Sequence, residues 1–214
     1  MSGSGYEKVG EILSSSLPRE LMLSLQQMIP SAVEKVRATT EGWMSGHRAS
    51  IEGYTRHFAL NEALVKCFEE CGIPHPPLRG NTIMVGRVGI VSVARVHMGH
   101  WKWDNSRRSK SKVKLCKPNY HAKQTVQGDL YEGEASIVDM TAFLVTEGNG
   151  SNGDTPIYIV VPDEAMDMRN PLFKEDLATF MQRYQKSQDV LDNAKPQLKP
   201  GVKKKGKQDN ENET

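Results

Sequence analysis

The sequence predicts an α+β protein: a helical N-terminal part followed by a mostly antiparallel sheet with a long basic β-hairpin, a C-terminal packing helix and a disordered tail. Two observations support this class. Apolar residues recur at helical spacing through the first 78 residues, and from Ile83 they follow the two-residue period of a strand. At 214 residues the chain can bury a core without disulfides or a structural metal. No segment approaches the ~20 apolar residues that span a bilayer.

Helices are predicted throughout residues 1–78. Pro18 suits the first turn of a second helix, and Pro30 is expected to end that helix because proline lacks a backbone N–H. The widest apolar stripe runs from Tyr54 to Cys71, and Gly72 fits the glycine that follows a helix end. The prolines after Gly72 cannot continue a helix, so a boundary is placed at residue 78.

Strands are predicted from Ile83 onwards. The run from Ile83 to His97 is rich in β-branched residues, and its even-numbered side chains are expected to face the core. A second run, Lys110 to Cys116, alternates lysines with Ser, Val and Leu. The turn-like residues Asp104 to Arg108 lie between the two runs, so a long β-hairpin with a cationic tip is predicted.

The rest of the chain adds strands and one helix. Strands are predicted over Ala135 to Thr146 and Ile157 to Val161, and Asn170-Pro171 supplies a cap and first-turn proline for a helix over about 171–187. Residues 194–214 are mostly Lys, Pro, Gly and polar, a composition typical of disorder. The chain therefore divides into a helical region at 1–78, an α+β domain at 79–193 and a lysine-rich tail.

Charge is distributed very unevenly along the chain. The formal net charge of +2 hides a block at 79–123 with eleven Lys and Arg against one acid, Asp104. The next block, 124–193, holds thirteen Asp and Glu against four bases. Such asymmetry steers charged partners to one face of a protein. The alternative is that the two blocks pair with each other inside one domain.

The basic block favours non-catalytic binding of RNA or single-stranded DNA, alone or within a nucleoprotein assembly. Lysine and arginine neutralise phosphates, and aromatic side chains offer surfaces on which unpaired bases stack. The predicted nucleic-acid-binding residues are Arg95, Trp101, Lys102, Trp103, Arg107, Arg108, Lys110, Lys112, Lys114, Lys117 and Tyr120. No cofactor is predicted.

Other functions remain open at this stage. The basic face also suits an anionic membrane or a protein partner, as in a matrix-like structural or assembly protein. The acidic region at 124–193 offers a surface for such a partner or for a second copy of the chain.

Metal chemistry has weaker support in the sequence. Three histidines and a cysteine stand at loosely zinc-like spacing but match no familiar site: His97, His100, Cys116 and His121. A second alternative is a metal-dependent nuclease in which Asp129, Glu132 and Glu134 hold the ion and His97 or His121 acts as the base. Because no recognisable nuclease motif is present, the chain is expected not to be an enzyme.

The sequence predicts an intracellular protein. Three cysteines in this length are typical of a reducing compartment, and the polar N-terminus lacks a signal-peptide pattern. The cluster Lys203-Lys204-Lys205-Gly206-Lys207 is consistent with nuclear import or with a second phosphate-binding arm.

Overall fold

A computed structural model describes residues 3–80, 82–99, 103–127, 137, 139–148 and 155–192 of the chain. Its six α-helices are α1 (Gly3–Ser16), α2 (Arg19–Thr40), α3 (Ser45–Glu70), α4 (Lys110–Leu115), α5 (Asn119–Gln127) and α6 (Leu177–Asp192). Its five strands are β1 (Val85–Val88), β2 (Val91–Gly99), β3 (Met140–Gly148), β4 (Ile157–Val161) and β5 (Phe173–Asp176). A 3₁₀-helix covers Trp103–Arg108. The predicted α+β class is confirmed.

The N-terminal helices differ from their predicted bounds in two places. α2 continues through Pro30 to Thr40, because Ile29 and Val36 on either side of the proline are buried in the helix packing. This packing offsets the hydrogen bond that proline cannot donate. α3 begins nine residues before the predicted Tyr54 and ends as predicted, with Gly72 at φ +64°. The Ile73 N–H donates to the Phe68 carbonyl at 2.8 Å and closes that end.

The sheet has the strand order β1-β2-β3-β4-β5. All neighbouring strands are antiparallel except β2 and β3, which run parallel from Val91 opposite Met140 to Gly99 opposite Gly148. A parallel pair needs a long crossover connection. Residues 103–127 belong to this crossover as the 3₁₀-helix, α4 and α5.

The predicted long basic hairpin is therefore wrong. Residues Lys110–Leu115 are helical, and the hairpin that does form joins β1 to β2 through a turn at Gly89, at φ +57°. On α4, Val113 and Leu115 pack against the sheet while Lys110 and Lys114 point to solvent. The packing of these two apolar side chains thus fixes α4 on the sheet, although its alternating apolar and basic residues also fit a strand.

Both faces of the sheet are buried, which corrects the prediction of a single even-numbered core face. On β2, Val91 and Val93 join a core with α1, α2, α3 and α6, while Ala94, Val96 and Met98 join a second core on the opposite face. The first core contains residues from both sides of position 78.

The C-terminal packing helix is confirmed, but its start differs from the prediction. Asp176, not Asn170, caps it: Oδ1 of Asp176 accepts the Thr179 N–H at 2.9 Å. Tyr6 of α1 donates its hydroxyl to the Lys174 carbonyl at 2.6 Å, and Tyr184 of α6 donates to the Leu17 carbonyl at 2.8 Å. α1 is thereby fixed against β5 and α6.

Within the described residues, no helix combines the length and apolar character needed to cross a bilayer. The predicted tail at 194–214, with Lys203–Lys207, lies outside the described residues.

Candidate anion-binding surface and cleft

The structure separates the predicted binding residues into two groups. Arg108, Lys110, Lys114 and Lys117 are exposed on α4 and its flanks, and together they are called the α4 surface. Arg95 and Lys112 instead line a cleft between α3 and β2, described below. Trp101 and Lys102 lie outside the described residues.

Part of the basic block pairs with the acidic block. Arg107 Nη2 lies 2.6 Å from an Asp167 carboxylate oxygen. Lys123 Nζ lies 2.9 Å from Glu164, and Arg87 Nη1 lies 3.7 Å from Asp139. Among the described residues, the predicted alternative of internal pairing thus holds for three bases of this block.

The two described aromatic candidates differ in accessibility. Trp103 is half-buried: its ring meets Tyr158 edge-on, with centroids 5.9 Å apart, and Lys174 Nζ lies 3.9 Å from the Trp103 ring centroid. Tyr120 is 49% exposed and receives a hydrogen bond on its hydroxyl from Gln124 at 3.1 Å. Tyr120 is therefore the more accessible of the two rings. It lies three residues after Lys117, beside the α4 surface.

The cleft forms where β1 is too short to cover β2. β1 begins at Val85, opposite Ala94, so residues 95–99 of β2 extend past it. α3 packs over this part of β2, and Lys112 closes the cleft from α4. The resulting space, called the β2 cleft, has a volume of about 220 Å³, and its polar lining comes from Arg56, His57, Asn61, Arg95, His97 and Lys112.

Arg95 is buried at the base of the β2 cleft with 7% of its surface exposed. Its Nε donates to Asn61 Oδ1 at 2.8 Å, and its Nη2 donates to the His57 carbonyl. Burial lowers the pKa of the Arg95 guanidinium to about 10, so the group stays charged at neutral pH. Its acceptors among the described residues are all neutral.

Two further cations approach Arg95. Arg56 pairs with Glu52 one turn earlier on α3, and Lys112 reaches the cleft from α4. Burial lowers the pKa of the Lys112 amine, and the positive charge of Arg95 lowers it further. Among the described residues, the structure thus brings three basic groups together in the cleft, and one carboxylate outside its lining, Glu52, pairs with Arg56.

His97 is held neutral in the β2 cleft. Arg56 Nη1, which can only donate, lies 3.1 Å from His97 Nε2, so Nε2 must accept. The proton then resides on Nδ1, which donates to Thr146 Oγ1 at 3.0 Å. Burial, with the charges of Arg56 and Arg95, lowers the pKa of His97 to about 4.

The shifted pKa of His97 makes stability depend on pH. An unfolded histidine protonates near pH 6.5 and folded His97 near 4, so the unfolded state binds more protons between these values. Stability therefore falls as pH falls through this window. We expect His97→Asn, which keeps a donor for Thr146, to remove about 2.5 kcal/mol of the destabilisation between pH 7 and 4.5.

Denaturant unfolding of both proteins at several pH values from about 7 down to about 4.5 measures this difference. His47→Asn, at an exposed position on α3, controls for the substitution itself. Identical pH profiles for the His97 variant and the parent chain would show that His97 does not carry the effect.

The absence of a side chain at Gly148 leaves room for the His97 ring. A Cβ atom at Gly148 would lie 2.8 Å from His97 Nε2 and 3.6 Å from Arg56 Nη1. A side chain there would displace the imidazole from its position between Arg56 and Thr146. The end of β3 thus supports the geometry of the cleft.

The metal alternatives find no support in the described part of the chain, where no group of three or more His, Cys, Asp or Glu residues could hold an ion. His97 lies in the β2 cleft, whereas Cys116 is buried on the other face of the sheet and donates its thiol to the Lys112 carbonyl. His100 and the acids Asp129, Glu132 and Glu134 lie outside the described residues.

Three residues of the β2 cleft were missed by the sequence predictions: Arg56, His57 and Asn61. They fall on one side of α3 at helical spacing, together with Gly53. They continue the apolar face of α3 towards its N-terminus, so polar side chains in line with a buried face were the available signal.

No protein-family model, curated protein or solved structure matches the chain.

Proposed function

We propose that the chain binds single-stranded nucleic acid, RNA or DNA, through the α4 surface and without catalysing a reaction on it. The observation that carries this proposal is that the four basic side chains of this surface are exposed and form no ion pair within the described part of the chain. The acids that follow in sequence pair with Arg87, Arg107 and Lys123 instead.

The arrangement of α4 favours a polyanionic partner. Lys110 and Lys114 are one turn apart on the same helix face, where like charges destabilise a helix by about 0.2–0.5 kcal/mol. Phosphates bound along this face would remove the repulsion. Each phosphate neutralised also releases condensed counterions, so affinity is expected to fall steeply with salt.

Tyr120 supports a preference for single strands. An exposed ring beside phosphate-binding lysines can stack on an unpaired base, which is worth about 1–3 kcal/mol per base. Bases in a duplex stack on one another and do not present a free face. We therefore expect single-stranded RNA or DNA to bind more tightly than duplex DNA of the same length.

Removing three charges tests the α4 surface. We expect the variant Arg108→Gln/Lys110→Gln/Lys114→Gln to bind single-stranded oligonucleotides about a hundredfold more weakly at ~0.1 M salt. Its slope of log affinity against log salt should be shallower by about 2, because each lost contact contributes about 0.7. Fluorescence anisotropy with labelled RNA, single-stranded DNA and duplex DNA over a salt series measures both quantities.

The matched control removes one arginine and two lysines elsewhere: Arg19→Gln/Lys35→Gln/Lys66→Gln, all exposed on α2 and α3. This variant has the same net charge, so it separates a local surface from a general charge effect. Equal slopes for the two variants would refute a binding role for the α4 surface.

A further inference from the structure

The described lining of the β2 cleft contains three basic side chains and no acidic side chain. Arg95 is buried with only neutral acceptors, and its Nη1 makes no hydrogen bond within the described residues. Burying a charged group away from water costs several kcal/mol unless an opposite charge compensates. Glu52 does not compensate Arg95, because it pairs with Arg56.

Arg56 and Lys112 also retain donors for a ligand. Arg56 Nε is buried and has no hydrogen-bond partner among the described residues. Lys112 lines the same cleft, and no hydrogen bond or ion pair of its amine occurs in the described part of the chain. These donors come from α3, β2 and α4, so three separate elements direct cationic groups into one recess.

The neutral lining adds selectivity for an anion over a cation. His97 accepts from Arg56 and donates to Thr146, so it is fixed without adding charge. Asn61 directs its oxygen to Arg95. His97 Nε2 and Asn61 Oδ1 thus already accept hydrogen bonds, whereas Arg56 Nε and the Lys112 amine have no acceptor among the described residues.

The size of the cleft limits the ligand. A volume of about 220 Å³ is below the roughly 300–1,000 Å³ of pockets that enclose a whole drug-sized ligand. One compact charged group fits this space better than a whole nucleotide. Arg95 Nη1 and the Lys112 amine, which have no partner among the described residues, can each donate a charge-assisted hydrogen bond to such a group.

We propose that the β2 cleft binds one phosphate-sized oxyanion between Arg95, Arg56 and Lys112. The source of this group is either free inorganic phosphate or the terminal phosphate of a nucleic-acid strand. The site is distinct from the α4 surface, and its existence does not depend on nucleic-acid binding.

Titration of the full chain with inorganic phosphate, against chloride at equal ionic strength, tests the site. We expect phosphate to raise the unfolding temperature and to bind with measurable heat by calorimetry. Lys112→Gln should weaken phosphate binding roughly tenfold, since it removes one charge-assisted hydrogen bond. Lys66→Gln, an exposed change of equal charge on α3, should leave phosphate binding unchanged.

Lys112 is half-buried, so its replacement is expected to leave the fold intact; Arg95→Lys, which keeps the charge but loses the planar donors, is a second variant. Weaker phosphate binding in both variants would support the site. Equal responses of the parent chain to phosphate and chloride, or unchanged phosphate binding in both variants, would overturn it.

Oligonucleotides with a 5′-phosphate or a 5′-hydroxyl distinguish the sources. Tighter binding of the phosphorylated strand, lost in Lys112→Gln, would assign the site to a strand end. Equal binding of the two strands with phosphate binding retained would assign it to free phosphate. Loss of RNA binding in the α4-surface variant while phosphate still binds would separate the two sites.

Discussion

Asn119→Ala is expected to destabilise the protein by about 3–5 kcal/mol, because three buried backbone groups would lose their partner. Asn119 is fully buried at the start of α5. Its Nδ2 donates to the carbonyls of Thr141 at 3.0 Å and Pro162 at 2.8 Å, and its Oδ1 accepts the Thr141 N–H at 2.7 Å. One side chain thus joins α5 to β3 and to the residue after β4.

Urea unfolding measures this effect as a lower midpoint with an unchanged slope. Tyr120→Ala is the matched control, because the next residue of α5 is exposed, and we expect it to cost less than about 1 kcal/mol. A loss below about 1 kcal/mol for Asn119→Ala would mean that water replaces the three hydrogen bonds.

Arg183→Met is expected to cost a similar amount, about 3–5 kcal/mol, by leaving a carboxylate buried without its cation. Arg183 on α6 has a side chain only 14% exposed, and it makes two contacts to Glu175, whose side chain is 10% exposed. Its Nη1 also lies 2.9 Å from Glu7 of α1. The guanidinium occupies the space beside Gly10, where a Cβ atom would lie 2.6 Å from its Cζ.

A double-mutant cycle isolates the charge contribution. In Arg183→Met/Glu175→Gln the unpaired Glu175 carboxylate is gone. We therefore expect the double variant to lose about 1–3 kcal/mol less unfolding free energy than the losses of the two single variants added together. Strict additivity would show that the two side chains act independently. Denaturant unfolding of the parent chain and the three variants provides the four free energies.

The α+β class could be predicted because long apolar stripes define a helix without tertiary context. The stripe ending at Cys71 and the glycine after it gave the end of α3 correctly. Pro30 did not end α2, since burial of its neighbours outweighs a local preference. The six residues of α4 alternate in a way that fits a strand or a helix, and the helix forms where Val113 and Leu115 pack against a core made by distant strands.

The candidate sites were predicted only in part, because the β2 cleft also depends on long-range packing. Local charge density identified the bases of the α4 surface and also Arg95 and Lys112. Their separation into an open surface and a closed cleft depends on where β1 begins and how α3 crosses β2, and these are long-range features. The partners on α3 lie more than thirty residues before Arg95, so no local pattern connects them.

α1 is synthesised well before β5 and α6, the elements that it packs against. Tyr6 and Glu7 bind residues 168 and 176 positions later in the chain. At a translation rate of about 5–20 residues per second, roughly 8–35 s pass between their synthesis and that of these partners. During that interval the apolar stripe of α1 lacks the cover that β5 and α6 provide, and a nascent chain interrupted before α6 would keep it accessible to chaperones.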